Sequence, residues 1–309
     1  MPNKKLPIDQ TQVSDRVGRS IKSPILVAHL SDLELDASDF LQHFSSQFRQ
    51  LAWDPYDMRR QQMEFLFEQF PQDVATLQIR FKAYYTGVKD RRSIRHWVGQ
   101  LSAAEKASFE SIRPWRRRAV AHFEMRENKR SLSIKRKEVP AFRQDVEEED
   151  VRSWPRQFEE APANFVEDER FYQLLGKIFR LVQNVRQGVS KLRVTAHLMS
   201  VQATVQRAGD NSPEGAHEDG ADFIISALVV NRTNLRGGES QVIEKREDGQ
   251  KEIILRRVLQ EGEFIFQADS RDELVYGTDL WHHVTPFYVD DPSKGEGWRD
   301  IIGFDINVG

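Results

Sequence analysis

Two imidazoles and a carboxylate are the residues of this sequence best able to do chemistry: His217-Glu218-Asp219, answered later by His282 within Trp281-His282-His283-Val284-Thr285-Pro286, and followed by Arg299. In an extended segment alternate side chains share a face, so His217 and Asp219 can point at one ion while Glu218 points away. His282 must reach the same point from a later strand. Two histidines and one carboxylate form the set that leaves open positions on a non-haem Fe(II), and such a centre does oxygen chemistry. Arg299 offers a fixed fork for a carboxylate, which a keto acid chelating iron at one end needs at its other end. Each piece alone has a bland explanation: a His-x-Asp by chance, a half-buried histidine, a surface ion pair of small energetic value. Their order and placement along the chain are what join them.

The chain has 309 residues, 39% hydrophobic, 10% aromatic and 30% charged, with a net charge of -3. It can bury a large core and reads as globular, and its charge argues against a generally nucleic-acid-seeking protein. With no cysteine, disulfides, thiolate-bound zinc, iron-sulfur clusters and a Cys nucleophile are excluded, which fits a reducing compartment. No apolar run approaches the roughly 18 residues of a transmembrane candidate, and the polar start lacks a signal-peptide core. A cytoplasmic location without membrane contact is expected.

The elements that must position these residues follow from patterning. Residues 1–24 are polar and read as a loose N-terminal arm, and 25–309 as one domain. Order begins at Ile25-Leu26-Val27-Ala28; Asp36 or Ser38 can cap a helix carrying Phe40, Leu41, Phe44, Phe48 and Leu51. Pro55 ends that helix by disfavouring helical geometry in Asp54. A second helical pattern runs through 61–67, and Val74–Tyr85 is expected to pair into a sheet. Residues 88–160 read as a charged helical insertion: Ser102-Ala103-Ala104-Glu105 is a capping box, Arg113–Lys137 holds ten Lys or Arg against two Glu, and Glu147-Glu148-Glu149-Asp150 is acidic. Arg170–Val189 is an amphipathic helix with Phe171, Leu174, Leu175, Ile178, Phe179 and Val182 on one face.

From about 193 to 309 the period becomes two. Strands are expected at 193–205, 222–231, 239–245, 251–259, 262–268, 272–277, 280–289 and 298–308, with a tight hairpin at Glu247-Asp248-Gly249-Gln250. The fold class is therefore α+β, its core a double-stranded β-helix, the jelly roll that cupins also use, with helices before it.

The segments Pro213–Gly220, Gly237-Gly238-Glu239, His282–Pro286 and Arg299-Asp300-Ile301 resemble the bacterial iron and 2-oxoglutarate dioxygenases that hydroxylate free amino acids, the group containing L-isoleucine hydroxylase. The resemblance is strong over roughly 195–309, fainter around Trp53-Asp54-Pro55-Tyr56 and absent over the charged middle. It implies that His217, Asp219 and His282 are catalytic metal ligands for Fe(II), that Arg299 binds 2-oxoglutarate, and that O2 is the other co-substrate. Only one residue of the His282-His283 doublet can ligate, because they point to opposite faces; the family pattern places the ligand four residues before the proline, which selects His282. The implied reaction hydroxylates an unactivated carbon of an amino acid and releases succinate and CO2. Asp219 argues against halogenation, since related halogenases lack that carboxylate.

Recognition of an amino acid needs a cation and an anion or carbonyl, for which Arg80, Tyr84, Tyr85, Gln202 and Asp222 are candidates, each with an ordinary structural role as the alternative. Trp281, Phe264 and Phe266 fit a core as well as a pocket wall. Two other functions compete: a cupin-like metal enzyme without 2-oxoglutarate, which does not require Arg299, and a nucleic-acid or partner-binding protein built on Arg113–Lys137, where Trp115 and Phe123 interleave. A basic run is usually a solvated face, so nucleic acid is not the expected partner. The insertion could also recognise a carrier protein that delivers a tethered amino acid.

Overall fold

The computed structural model describes residues 13–14, 17–18, 20–129, 131–138, 141, 154–246, 248–270, 276–277 and 279–309. Contacts divide the chain into two units, the first within Met1–Leu51, Arg118–Val139 and Glu159–Gly309, the second within Ala52–Arg117 and Pro140–Phe158. In chain order, β1 (Ile25–His29) and α1 (Ala37–Ser45) belong to the first unit, and α2 (Pro55–Gln69), α3 (Val74–Tyr85), α4 (Arg95–Gln100) and α5 (Ala103–Ser111) to the second. The chain continues through β2 (Arg116–Asn128), β3 (Ser131–Lys137), α6 (Ala163–Val166) and α7 (Glu169–Val185). Strands β4 (Lys191–Thr204), β5 (Phe223–Thr233), β6 (Leu235–Gly237), β7 (Ser240–Lys245), β8 (Lys251–Arg257), β9 (Glu263–Ala268), β10 (Asp279–Val284), β11 (Phe287–Val289) and β12 (Glu296–Val308) complete it.

The strands of the first unit form a seven-stranded sheet ordered β1-β9-β5-β12-β4-β2-β3, a three-stranded sheet β10-β7-β8 and a ribbon β11-β6. The strand pairs for which a register is resolved are antiparallel. Alternation on β12 assigns its two faces. Ile302, Phe304 and Ile306 join a core with Phe40 and Phe44 of α1 and Phe171, Leu174 and Ile178 of α7. Ile301 points the other way, into a second core that combines Val229 and Ile265 of the large sheet with Val242, Ile254 and Leu280 of the small one. Arg299 shares the face of Ile301. The β7–β8 connection is tight, as Asp-Gly implies: Arg246 N–H donates to Gln250 O at 2.8 Å, and Gly249 takes a φ of 79°.

Local signals set the helix starts. Asp36 caps α1 by accepting from Asp39 N–H at 3.0 Å, Asp54 caps α2 with Pro55 in its first turn, and Ser102 and Glu105 complete the expected capping box on α5. The second unit packs Met63, Leu66, Leu77, Tyr84, Ile94, Trp97 and Phe109 together.

Two expectations are corrected. Val74–Tyr85 is the helix α3, not a strand. Leu77, Phe81, Tyr84 and Tyr85 fall at i, i+4, i+7 and i+8, a helical stripe whose buried members are Leu77, Tyr84 and Tyr85. The basic run Arg116–Lys137 is not part of a charged helical insertion but the β2–β3 hairpin. There Ala119, Ala121, Phe123 and Met125 alternate into the α7-side core while polar residues take the opposite face. Its cations are engaged within the protein: Arg116 pairs with Asp54 at 2.8 Å, Arg117 stacks on Trp53 at 3.9 Å, and Arg136 meets Glu167 at 2.9 Å. The acidic run 147–150 and most of the expected strand 272–277 lie outside the described residues.

Candidate metal centre

The loop between β4 and β5 carries His217 and Asp219, and it is stitched to β10 and its approach to β11. His217 N–H donates to His282 O at 3.0 Å and His282 N–H to His217 O at 2.9 Å, an antiparallel bridge that sets the two imidazoles side by side. Their ring centroids lie 4.3 Å apart. Further up the loop, Gly209 and Phe287 make a second bridge. A Cβ at Gly209 would lie 2.1 Å from the Phe287 ring, so only glycine permits this approach.

Asp219 Oδ1 is 3.6 Å from His217 Nε2, and its Oδ2 is 3.4 Å from His282 Nε2. One ligand atom from each of His217, Asp219 and His282 falls within 4.8 Å of the others, with His217 6% and His282 7% exposed. This geometry suits a single divalent cation with one side open. His217 Nδ1 donates to Gly215 O at 2.8 Å, which turns Nε2 toward the shared point; orientation by a backbone carbonyl is common among metal-bound histidines. Burial lowers the His217 pKa, but hydrogen bonding to Asp219 and the charges of Asp219 and Glu214 outweigh it and raise it to about 9. Burial likewise raises the Asp219 pKa, yet His282 and His217 hold it far below the usual carboxylate range. The raised His217 pKa reflects the negative charge that Asp219 and Glu214 bring to the set, which favours a cation.

His283 points to the other face of β10 and is only half buried, as alternation requires. Glu218 also faces away, sharing a hydrogen bond with Asp279; burial first, then that contact, raises its pKa to about 8.

Arg299 is fully buried at 0% exposure. Its Nη1 donates to Asn211 Oδ1 at 2.8 Å, while Nε and Nη2 have no partner among the described residues. Asp300 faces the other way and is engaged by Arg49 and Asn231, each at 2.7 Å. Burial, then the charge of Arg232 across the strand pair, pushes the Arg299 pKa down to about 9. A buried guanidinium with two unmatched nitrogens is suited to an incoming carboxylate.

Two supporting residues escaped sequence reasoning. Asn211 orients Arg299 from the same loop that carries His217; the turn-rich Gly209-Asp210-Asn211-Ser212-Pro213 was its one signal. Asp269, 2% exposed at the end of β9, accepts N–H bonds from Asp219 at 3.2 Å and Ala221 at 2.8 Å, which fixes the backbone of the His-x-Asp segment. Burial and the neighbouring Asp219 raise its pKa to about 7.

The substrate candidates have other occupations. Tyr84 and Tyr85 are buried inside the second unit, where Tyr84 hydrogen-bonds Gln62, and Arg80 stands on α3 of that unit. Gln202 pairs with Glu296 at 2.5 Å, and Asp222 accepts from Val308 N–H at 2.6 Å. Phe264 and Phe266 belong to the α7-side core, and Trp281 carries Lys251 3.6 Å over its ring.

A family model described as 2OG-Fe dioxygenase matches residues 106–305. The chain belongs to the 2OG-Fe dioxygenase family. The matched span of this dioxygenase runs from α5 through the His-x-Asp loop, β10 and nearly all of β12. Its cofactor and co-substrates are accordingly Fe(II), 2-oxoglutarate and O2. A solved structure of a bsmA homolog from Methylobium petroleophilum PM1 shares the dioxygenase's fold with a TM-score of 0.60 at 18% identity, covering 98% of this chain and 97% of the other. IDO from Bacillus thuringiensis matches with a TM-score of 0.48 at 16% identity over 63% of this chain and 79% of its own. The Fe(II)/α-ketoglutarate-dependent dioxygenase TqaL matches at 0.45 and 15% over 70% and 73%. A search of curated protein sequences returns no match. Among the described residues no helix is long and apolar enough to cross a membrane.

Proposed function

We propose that this dioxygenase hydroxylates an unactivated carbon of an amino acid, free or tethered to a carrier protein, on a jelly-roll core formed by its antiparallel sheets. In this reading His217, Asp219 and His282 hold Fe(II), and Arg299 holds the distal carboxylate of 2-oxoglutarate. When bound, the iron and the keto acid together supply the oxidant that O2 alone does not provide, with release of succinate and CO2.

The chain's own residues have separate tasks. The Gly215 carbonyl keeps the Nδ1 proton of His217, so that Nε2 is presented as a bare donor. Asp219 contributes the negative charge of the set, and Asp269 fixes the backbone from which it projects. Asn211 holds one arm of the Arg299 fork and leaves the others for a carboxylate. Burial of both histidines keeps bulk water from the donors.

The observation that carries the reading is a fully buried Arg299 with unmatched nitrogens, held by the loop that also bears the His-x-Asp pair. A metal enzyme without 2-oxoglutarate leaves that buried cation unexplained. The amino-acid substrate rests on the motif resemblance over 195–309 and is tested by succinate release across the free amino acids, with His282→Ala as control. Stimulation by one or a few amino acids in the native protein alone is expected. Release that no amino acid changes, beside native 2-oxoglutarate binding, refutes the substrate class and leaves the cofactors standing.

A further inference from the structure

A cluster of buried and half-buried polar side chains lies on the metal-side face of the large sheet and is used by none of the roles above. Alternation on β12 places Asp305 on the face of Arg299 and Ile301; in the β4 register Gly303 stands opposite His197 and Asp305 opposite Thr195. On β2, Ala119 and Ala121 enter the α7-side core, which sends Arg118 and His122 to this same face. The three strands thus bring Arg118, His122, Thr195, His197 and Asp305 together. His197 and Thr195 are 5% and 8% exposed.

The hydrogen bonds of the cluster have a fixed direction. Arg118 Nη2 lies 3.0 Å from His197 Nδ1, and an arginine only donates, so Nδ1 accepts. On its other side His197 Nε2 donates to Asp305 Oδ2 at 2.9 Å. Asp305 anchors the ring and the ring anchors the guanidinium. His122, paired with Thr195 at 2.8 Å, is kept uncharged by burial, its pKa pushed down to about 4. Arg118 supplies the permanent positive charge of the group. The metal set lies within electrostatic reach: the charge of Asp305 acts on Asp269, which braces Asp219. Apolar residues would pack a purely structural sheet face at lower desolvation cost.

We infer that Arg118 receives the carboxylate of the substrate beside the metal centre, with His197 and Asp305 as positioning residues that hold its fork in place. Arg299 and Arg118 then divide two carboxylates between them, that of 2-oxoglutarate and that of the oxidised molecule. The inference rests on the dioxygenase reading of the His217, Asp219 and His282 site and specifies its substrate as a small carboxylic acid.

The test uses full-length protein loaded anaerobically with Fe(II) and 2-oxoglutarate, and reads the shift of the visible chelate band on adding free amino acids, simple carboxylic acids and the corresponding primary amides. Arg118→Gln, Arg118→Lys and Asp305→Asn are compared with the native chain, each checked for a native thermal midpoint. Losing one or two hydrogen bonds to a charged group, at ~1.5–3 kcal/mol each, gives roughly 10- to 10⁴-fold weaker binding of the carboxylate probe in Arg118→Gln. The 2-oxoglutarate requirement of that variant stays native. Lys restores part of the loss, and Asp305→Asn raises KM more than it lowers kcat. The inference is overturned if the amides shift the band as well as the acids, if no acid shifts it in the native protein, or if Arg118→Gln changes the 2-oxoglutarate requirement instead. A missing band in the native protein sinks the site reading itself and is thereby distinguished.

Discussion

Replacing Arg299 by Met separates two consequences of burying a cation. The side chain is fully buried, one nitrogen donates to Asn211 at 2.8 Å, and Nε and Nη2 have no partner among the described residues. If both unmatched nitrogens serve the 2-oxoglutarate carboxylate, at ~1.5–3 kcal/mol per hydrogen bond to a charged group, their loss amounts to ~3–6 kcal/mol. At about 1.4 kcal/mol per decade the affinity falls roughly 10²- to 10⁴-fold. Stability should move differently. The effective desolvation penalty of a buried ion is several kcal/mol, whereas orphaning the Asn211 carbonyl costs about 1–3 kcal/mol and Met retains much of the volume. The metal-free variant is therefore expected to be as stable as the native chain or more so, although truncations of large core side chains ordinarily destabilise by ~2–5 kcal/mol. Calorimetric titration of 2-oxoglutarate into Mn(II)-loaded protein gives the affinity, and urea unfolding of the metal-free protein gives the stability. Affinity within threefold of native would refute the reasoning, as would a large stability loss with affinity retained.

Other outcomes follow from the same geometry. Asp269→Ala removes the acceptor of the Asp219 and Ala221 N–H groups and should weaken metal binding about 10–100-fold, the usual scale for supporting residues; Asp269→Asn, which keeps one oxygen, should lose much less, and equal losses in competitive Zn(II) titrations would contradict the role. Gly209→Ala forces a Cβ against the Phe287 ring at 2.1 Å and should destabilise by ~1–3 kcal/mol; an unchanged urea midpoint would mean that the loop does not approach β11 this closely. Burial pushes the His122 pKa from 6.5 to about 4, so the unfolded chain binds its proton more readily than the folded one between those values. Stability linked to His122 is complete above pH 6.5 and declines as the pH falls toward 4; urea midpoints across that window should fall less steeply in His122→Gln, and parallel profiles would count against it.

Much of the centre was legible because strand chemistry writes itself as alternation. The one-residue spacing of His217 and Asp219 requires them to share a face, and the His282-His283 doublet is divided between faces by the same rule. Placing Arg299 on the last strand fixed its face relative to Ile301, although its complete burial was not readable. Charge obscured the rest. In Arg116–Lys137 the Ala119, Ala121, Phe123 and Met125 alternation is overlaid by nine basic residues, whose density hides the hairpin. In Val74–Tyr85 the helical stripe is carried by tyrosines and a phenylalanine, residues that also favour strands. Asn211, Asp269 and the Arg118, His197 and Asp305 group depend on which strands neighbour one another, β9 beside β5 and β2 beside β4, and that order has no local pattern.

The central claim is that His217, Asp219 and His282 hold iron and Arg299 holds the keto acid. Anaerobic titration of metal-free protein with Fe(II) and then 2-oxoglutarate, followed by its visible charge-transfer band, tests it most directly. The band should form in the native protein, vanish in His282→Ala and require far more 2-oxoglutarate in Arg299→Met. A folded, iron-loaded native protein without the band, or a His282→Ala variant that retains it, would contradict the account.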